Sequence, residues 1–92
     1  MPDVIFQPES HAFVVRDGDD VVGRLAYHQH GDVLDAYTTW VRPDRRGRGE
    51  AAALVEALLD HARREGLTIR PSCWYVAKVM RADPKASELL AR

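Results

Sequence analysis

Hydrophobic and polar residues alternate through the first half of the chain in short runs bounded by turn-forming residues, the pattern of β-strands. The runs lie at residues 4–6, 12–15, 21–28 and 33–41. Asp17-Gly18 is a strong hairpin turn signal, and Pro43 closes the last run. Connections this short join antiparallel neighbours, so the pattern predicts an antiparallel β-meander.

Alternation also predicts which side chains of the third run share a face of the sheet. One face would carry Val21, Gly23, Leu25 and Tyr27, and the other would carry Arg24. We therefore expect Val21 to point in the same direction as Leu25 and Tyr27.

The period changes in the second half, where apolar residues recur at the spacing of an α-helix. They are Ala51, Leu54, Val55, Leu58, Leu59 and Ala62. Gly66 suits the position after a helix, where a left-handed backbone is common. Residues 67–69 then predict a short strand. A helix between two strands is a crossover, so this strand should run parallel to residues 33–41.

Two further helices are predicted after that strand. Ser72 is expected to cap a helix that runs to about Met80, and Asp83-Pro84 to start a final short helix carrying Leu89 and Leu90. The predicted fold class is α/β (α+β), with the meander followed by α-β-α. At 92 residues we expect one domain, residues 1–92.

Charge narrows the range of functions. Thirteen basic and fourteen acidic side chains give a net charge of −1. The charge is uneven, since residues 1–41 sum to −5 and residues 42–92 to +4. A uniformly basic nucleic-acid binder is therefore not expected, although a local anion site in the second half remains open.

Other features predict the setting of the chain. No apolar run approaches the roughly 20 residues that span a bilayer, and the N-terminus lacks the features of a signal peptide. A single cysteine, Cys73, has no intramolecular disulfide partner. We expect a cytoplasmic protein, without a membrane partner, that is a monomer or a weak homodimer.

A glycine- and arginine-rich loop joins the longest strand to the long helix. It contains Arg45, Arg46 and Arg48 together with Gly47 and Gly49. Helix N-termini carry unpaired amides and partial positive charge, glycine lets an anion approach closely, and guanidinium groups add forked donors. These features predict a pyrophosphate site, with a solvated basic turn as the alternative. The loop lacks the Gly-Lys-Ser/Thr of a Walker motif and the third glycine of a dinucleotide fingerprint.

The segment from Arg46 to Ala51 resembles the R/Q-x-x-G-x-G/A motif of the GNAT acetyltransferases. Its surroundings, Thr38 to Pro43 before it and Pro71 to Val76 with Asp83-Pro84 after it, resemble the short stand-alone GNAT-like subfamily. That subfamily shows an H-T-x-V-x-P run, R-G-x-G-x-A, P-x-C-x-[FY]-V and H-P. The resemblance covers residues 10–90 and implies a minimal acetyl-CoA fold, without the N-terminal helices that build the acceptor pocket of larger members.

The resemblance also implies positions for acetyl-CoA, the cosubstrate. Its pyrophosphate would lie on Arg46, Gly47, Arg48, Gly49, Glu50 and Ala51. Its pantetheine arm would follow the backbone of Trp40 and Val41, where this strand and residues 67–70 diverge. A backbone N–H there would polarise the thioester carbonyl. The implied function is transfer of an acetyl group to an unidentified amine, which a protein or peptide could carry.

Two positions depart from the subfamily pattern. Thr38 stands where the first histidine is usual, and Asp83 stands where a second histidine precedes proline. If the first histidine assists catalysis in relatives, Thr38 leaves that role unfilled. An acetyl-CoA-binding or protein-interaction module without turnover is therefore the alternative to an enzyme.

Cys73 is the candidate nucleophile. It follows Ser72, so we expect it in the first turn of a helix, where the thiol pKa is lowered. It would either take the acetyl group transiently or line the thioester pocket; the alternative is a small buried core residue. Core packing is also the first expectation for Trp40, Trp74 and Tyr75, with Trp40 able to cover the cofactor. The four histidines show no zinc-ligand spacing, so no metal site is predicted.

Overall fold

The structure, a computed structural model, describes residues 3–92. Its elements in chain order are β1 (Val4–Gln7), β2 (Ala12–Asp17), β3 (Asp20–His30), β4 (Val33–Val41), α1 (Glu50–Glu65), β5 (Thr68–Pro71), α2 (Trp74–Ala82) and α3 (Pro84–Ser87). Short 3₁₀ turns at Pro8–Ser10 and Pro43–Arg45 precede β2 and the glycine-rich loop. The five strands form one sheet in the order β1-β2-β3-β4-β5.

The predicted α+β fold and meander are confirmed. Strands β1 to β4 pair antiparallel in sequence order, and α1 returns the chain so that β5 pairs parallel to β4. Helix α1 ends as expected, because Gly66 adopts a left-handed backbone with φ 68°. The amides of Gly66 and Leu67 both donate to the carbonyl of Ala62, which satisfies the end of the helix.

Helices α1 and α2 pack on one face of the sheet. A Cβ placed on Gly23 of β3 would lie 3.4 Å from Leu54 Cδ1 of α1, which marks that face. The core is formed there by fully buried side chains of α1, β3, β4, β5 and α2. They are Leu25, Leu34, Leu54, Leu58, Leu59, Ile69, Val76 and Met80.

Two β-bulges alter the simple alternation that the sequence predicts. In the first, Val15 pairs with Gly23 and Arg16 pairs with Val21, so Val22 is the extra residue of β3. The expectation for Val21 was therefore wrong, because Val21 is 36% exposed and Val22 is buried. A bulge inserts one unpaired residue and shifts the facing of its neighbours. The second places Tyr37 as the extra residue of β4, because Tyr27 pairs with Ala36 and Ala26 pairs with Thr38.

The helices after β5 also differ from prediction. Cys73, rather than Ser72, is the N-cap of α2, and the Ser72 hydroxyl donates to Asp35 Oδ1 at 2.6 Å. Asp83 caps α3 as predicted, accepting from the amide of Lys85 at 3.0 Å.

Helix α3 is shorter than predicted, because Leu89 and Leu90 lie beyond its end at Ser87. They run beside β5 instead. The amide of Ile69 donates to Leu89 O at 2.7 Å, and the amide of Ala91 donates to Ile69 O at 2.8 Å. This pairing satisfies the backbone N–H and C=O of Ile69 on the edge of β5, which would lose these partners if Leu89 and Leu90 continued α3.

Candidate functional site

Strands β4 and β5 pair over only part of β4, and a groove opens where the pairing stops. The register ends at Ala36 and Pro71, and the amide of Cys73 makes a last bond to Ala36 O at 2.8 Å. Strand β4 continues to Val41 while the chain after β5 turns into α2. The resulting groove has a volume of about 570 Å³. It is lined by Thr39, Trp40, Val41, Arg45, Arg46, Gly47, Gly49, Glu50, Ala51, Ala52, Trp74 and Tyr75.

The N-terminus of α1 forms one end of this groove. Its first intrahelical hydrogen bond runs from the amide of Ala53 to Gly49 O, so the three preceding amides have no acceptor inside the helix. No side chain caps this end. The amides of residues 50–52 and the helix dipole therefore present positive potential to the groove, an arrangement suited to a phosphate group.

Two glycines shape the backbone that leads into α1. Gly47 and Gly49 have φ values of 84° and 82°, a left-handed region that residues with a Cβ rarely adopt. A Cβ on either would meet no atom within 4 Å. The glycines are thus needed for backbone conformation and not for packing, and the space in front of them is open to a ligand.

The arginines of the loop divide into two groups, which corrects the expectation that Arg45 donates to an anion. Arg45 is committed to carboxylates, donating to Glu50 Oε2 at 2.7 Å and to Asp17 Oδ2 at 2.9 Å. Arg46 makes one long bond, from Nε to Val41 O at 3.4 Å, and lines the groove. Arg48 makes no ion pair among residues 3–92. Arg46 and Arg48 therefore remain able to contact an anion.

The Glu50 side chain has a structural role at the start of α1. The residue is 3% exposed, and its carboxylate accepts both Nε and Nη2 of Arg45. The hydrogen bond from Arg45 lowers the pKa of Glu50 below its ordinary value of 4.5. Its side chain is thus paired inside the protein, and only its backbone amide is available to a ligand in the groove.

Aromatic side chains flank the rest of the groove, contrary to the expectation that Trp40 and Trp74 lie in the core. Trp40 is 44% exposed and Trp74 is 74% exposed. Tyr75 is partly buried against the core, and its ring centroid lies 5.8 Å from that of Trp74. Exposed indoles beside a groove supply apolar walls for an extended ligand.

Cys73 lies behind the groove, beside a residue that sequence reasoning missed. The thiol is 3.5 Å from Thr39 Oγ1, and Thr39 itself lines the groove. Burial raises the pKa of the Cys73 thiol, but hydrogen bonds from the Thr39 hydroxyl and nearby backbone amides outweigh it, so that the pKa lies below 9.0. Simple alternation from the buried Leu34 and Ala36 would have placed Thr38 on the core face, and the bulge at Tyr37 places Thr39 there instead.

Thr38 lies on the opposite face of the sheet. It pairs with Ala26, whereas Thr39 pairs with Leu25 of the core. Thr38, at the position of the subfamily histidine, therefore lies on the other side of the sheet from Cys73.

The histidines on β3 lie outside the groove. His28 stacks on Tyr37 at 4.4 Å, and the rings of His28 and His30 are 6.3 Å apart. Within residues 3–92, no three His, Cys, Asp or Glu side chains are grouped to hold a metal ion. In the same part of the chain, no helix has the length and apolar character needed to cross a bilayer.

Sequence comparison covers most of the chain. Residues 12–89 match the sequence model of a family described as GCN5-related N-acetyl-transferase. Protein NATD1 of Bos taurus and Protein NATD1 of Homo sapiens are each 38% identical over 61 residues, 66% of this chain and 47% of the relative. The chain thus spans about half the length of the curated relatives it matches.

Solved structures share the fold. A GCN5-like protein of Staphylococcus aureus superposes with a TM-score of 0.76 at 18% identity, covering 97% of this chain and 87% of that one. The ribosomal-protein-S18-alanine N-acetyltransferase of Escherichia coli superposes with a TM-score of 0.64 at 18% identity, covering 77% and 49%. With the family match over residues 12–89, the chain belongs to the GCN5-related N-acetyltransferase (GNAT) superfamily.

Proposed function

We propose that this protein binds acetyl-CoA in the groove and transfers the acetyl group to an amine. The observation that carries the proposal is the uncapped N-terminus of α1, whose amides open onto the groove between β4 and α2. A pyrophosphate there would be held by the amides of residues 50–52 with Arg46 and Arg48. The pantetheine arm would lie along Trp40 and Val41, and the thioester would lie near Thr39.

The transfer itself needs little from side chains. An ammonium acceptor first loses one proton to solvent. The neutral amine nitrogen then attacks the carbonyl carbon, the carbon–sulfur bond breaks, and the CoA thiolate takes up the second proton that the nitrogen loses. Negative charge grows on the carbonyl oxygen during attack, and a backbone N–H on the unpaired edge of β4 would stabilise it. The amides beyond Ala36 on that edge have no β5 partner, which supports this assignment.

The acceptor is proposed to be an amine carried by a peptide or protein. Helices α1 and α2 cover only one face of the sheet, so a large acceptor can approach β4 from the other face. Tyr37 and Trp40 on β4 are 42% and 44% exposed, and would contact such a substrate. The net charge of −5 over residues 1–41 favours a cationic acceptor such as lysine.

Thermal denaturation with increasing acetyl-CoA tests the binding step. A ligand that binds only the folded protein adds about 2.7 kcal/mol of stability at a hundredfold excess over Kd, and therefore raises the melting temperature. Arg46→Glu should remove most of this shift, because it places a negative charge beside the pyrophosphate. Arg64→Glu, the same charge change at the far end of α1, is the control. An equal shift in both variants would exclude the loop as the phosphate site.

A binding module without turnover is the second candidate function. Thr38 in the position of the subfamily histidine favours it. Release of free CoA thiol in the presence of a panel of amines separates the two. Stoichiometric acetyl-CoA binding with no thiol release from any amine would support the module and exclude the transferase.

A further inference from the structure

A second cavity lies at the opposite end of α1 from the groove. It has a volume of about 400 Å³ and is bounded by β1, β3, the residue before β2 and the last turns of α1. Its lining includes Phe6, His11, Tyr27, Gln29, His61 and Glu65. We propose that this cavity binds an organic ammonium group, separately from the acetyl-CoA groove.

Aromatic rings form two of its walls. Phe6 and His61 pack with ring centroids 4.6 Å apart, and His11 and Tyr27 pack at 5.5 Å. Phe6 is 38% exposed, so part of its ring remains accessible beside the rings of Phe13 and His61. Ring faces carry negative electrostatic potential and attract cations, most strongly where water is excluded.

The backbone at His11 is held in a costly conformation to build this wall. His11 has a φ of 50°, the only positive value at a residue other than glycine within 3–92. A left-handed backbone is disfavoured for a residue with a Cβ. Hydrogen bonds from the His11 amide to Pro8 O and from the Tyr27 amide to His11 O keep it there. Strain of this kind persists where surrounding structure enforces it, often at ligand sites.

The Tyr27 hydroxyl is the polar group that points to a ligand. Tyr27 is only 2% exposed, and burial raises the pKa of its hydroxyl. Within residues 3–92, every side-chain nitrogen or oxygen atom that is fully enclosed has a hydrogen-bond partner. The Tyr27 hydroxyl has no partner among these residues, so its oxygen is not fully enclosed. The hydroxyl oxygen must therefore reach the cavity surface, where it can accept a hydrogen bond from an ammonium group.

Charge selects the sign of the ligand. Glu65 is the one lining residue that carries a formal charge when the histidines are neutral. A carboxylate, a phenolic oxygen and ring faces together favour a cation and disfavour an anion. Glu65 and Glu50 are separated by the length of α1, about 22 Å at 1.5 Å per residue. Because of this separation, a ligand can occupy the cavity whether or not acetyl-CoA lies in the groove.

Chemical-shift titration of the ¹⁵N-labelled full chain tests the proposal. The probes are butylammonium, butanol and butyrate, which share a chain and differ in charge. Butylammonium should give saturable shifts at Tyr27, His61 and their neighbours, with affinity at least about tenfold above that of butanol or butyrate. Equal affinities for the three probes, or shifts confined to other parts of the chain, would overturn the proposal.

Two variants with matched controls locate the site. Glu65→Gln should weaken butylammonium binding by about fivefold, while Glu56→Gln, an exposed glutamate outside the cavity on the same helix, should not. Tyr27→Phe should weaken binding about threefold without lowering the melting temperature, because the hydroxyl has no internal partner to lose. A melting temperature that falls with unchanged affinity would contradict the role of the hydroxyl.

A second ligand series separates the two sources of an ammonium group. N-acetyl-lysine amide represents a lysine side chain, and butylammonium represents a free amine. Tighter binding of either one supports the shared chemistry and identifies the source. Absence of binding by both at millimolar concentration would overturn it, and acetyl-CoA binding measured on the same sample would be unaffected.

Discussion

At the scale of single residues, several side chains at the groove have a burial that differs from the average for their residue type. Trp40 and Trp74 are exposed where large indoles are usually buried, and Glu50 is buried where glutamate is usually exposed. Each departure has a physical reason in the groove: the indoles flank it, and Glu50 anchors the arginine next to it. Residue type alone predicts the average environment, so these positions could be located only through their neighbours.

The contact between Thr39 and Cys73 leads to a prediction about thiol reactivity. Thr39→Val removes a hydroxyl that stabilises the thiolate, so the pKa of Cys73 should rise and alkylation by iodoacetamide should require higher pH. Thr39→Ser retains the hydroxyl and should restore the wild-type profile. Identical profiles for all three proteins would show that Thr39 does not tune the thiol.

The two roles considered for Cys73 differ in a product that mass spectrometry detects. As a nucleophile its sulfur would attack the acetyl carbon, and CoA would leave as the thiolate, so mixing with acetyl-CoA would add one acetyl group to the protein. As a pocket-lining residue it would stay unmodified, and Cys73→Ala would retain transfer. Cys73 is 6% exposed, packs in the core cluster and is not among the residues that line the groove, which agrees best with the third alternative, a small buried core residue.

At the scale of elements, the two helix ends with strong local signals, the end of α1 and the start of α3, lie where the sequence predicts them. Glycine after α1 and Asp83 before α3 mark helix ends through bonds to residues within one turn. The β-bulges and the short pairing of β4 with β5 depend on partner strands distant in sequence, so alternation within one strand misplaced Val21. Leu89 and Leu90 were assigned to a helix because their pairing with β5 is likewise nonlocal.

The end of α1 provides a test of a local signal. Gly66 has a φ of 68°, and no atom lies within 4 Å of a Cβ placed on it. Gly66→Ala should therefore cost about 1 kcal/mol of unfolding free energy through backbone strain alone. Gly66→Asn should cost less, since asparagine tolerates the left-handed region. Urea denaturation of both variants measures this, and an unchanged midpoint in Gly66→Ala would contradict it.

At the scale of the whole molecule, Arg45 connects parts of the chain that are far apart in sequence. Its guanidinium contacts Asp17 at the tip of the β2–β3 hairpin and Glu50 at the start of α1. The bulged hairpin and the groove are thereby held together at one end of the sheet. Such a contact matters in a domain this small, where a single core buries limited apolar surface.

Acid should loosen this connection. Since Arg45 lowers the pKa of Glu50, the pair's contribution to stability is complete above the ordinary value of 4.5 and is lost as pH falls towards the lowered value. Wild-type protein should lose more stability across that window than Glu50→Gln, which has no carboxylate to protonate. Urea midpoints measured at neutral pH and below pH 4.5 test this, and parallel losses in the two proteins would contradict it.

The sequence alone determined the order of strands and helices, the α+β class, the parallel return through α1 and the position of the glycine- and arginine-rich motif before α1. These follow from periodicity, turn chemistry and helix capping, which act between neighbours in the chain. Tertiary structure decided which arginines remain available at the motif, which threonine lies beside Cys73, and that a second aromatic cavity exists. Those properties arise where distant strands and helix ends meet, and pairing across that distance depends on register and packing rather than on local pattern.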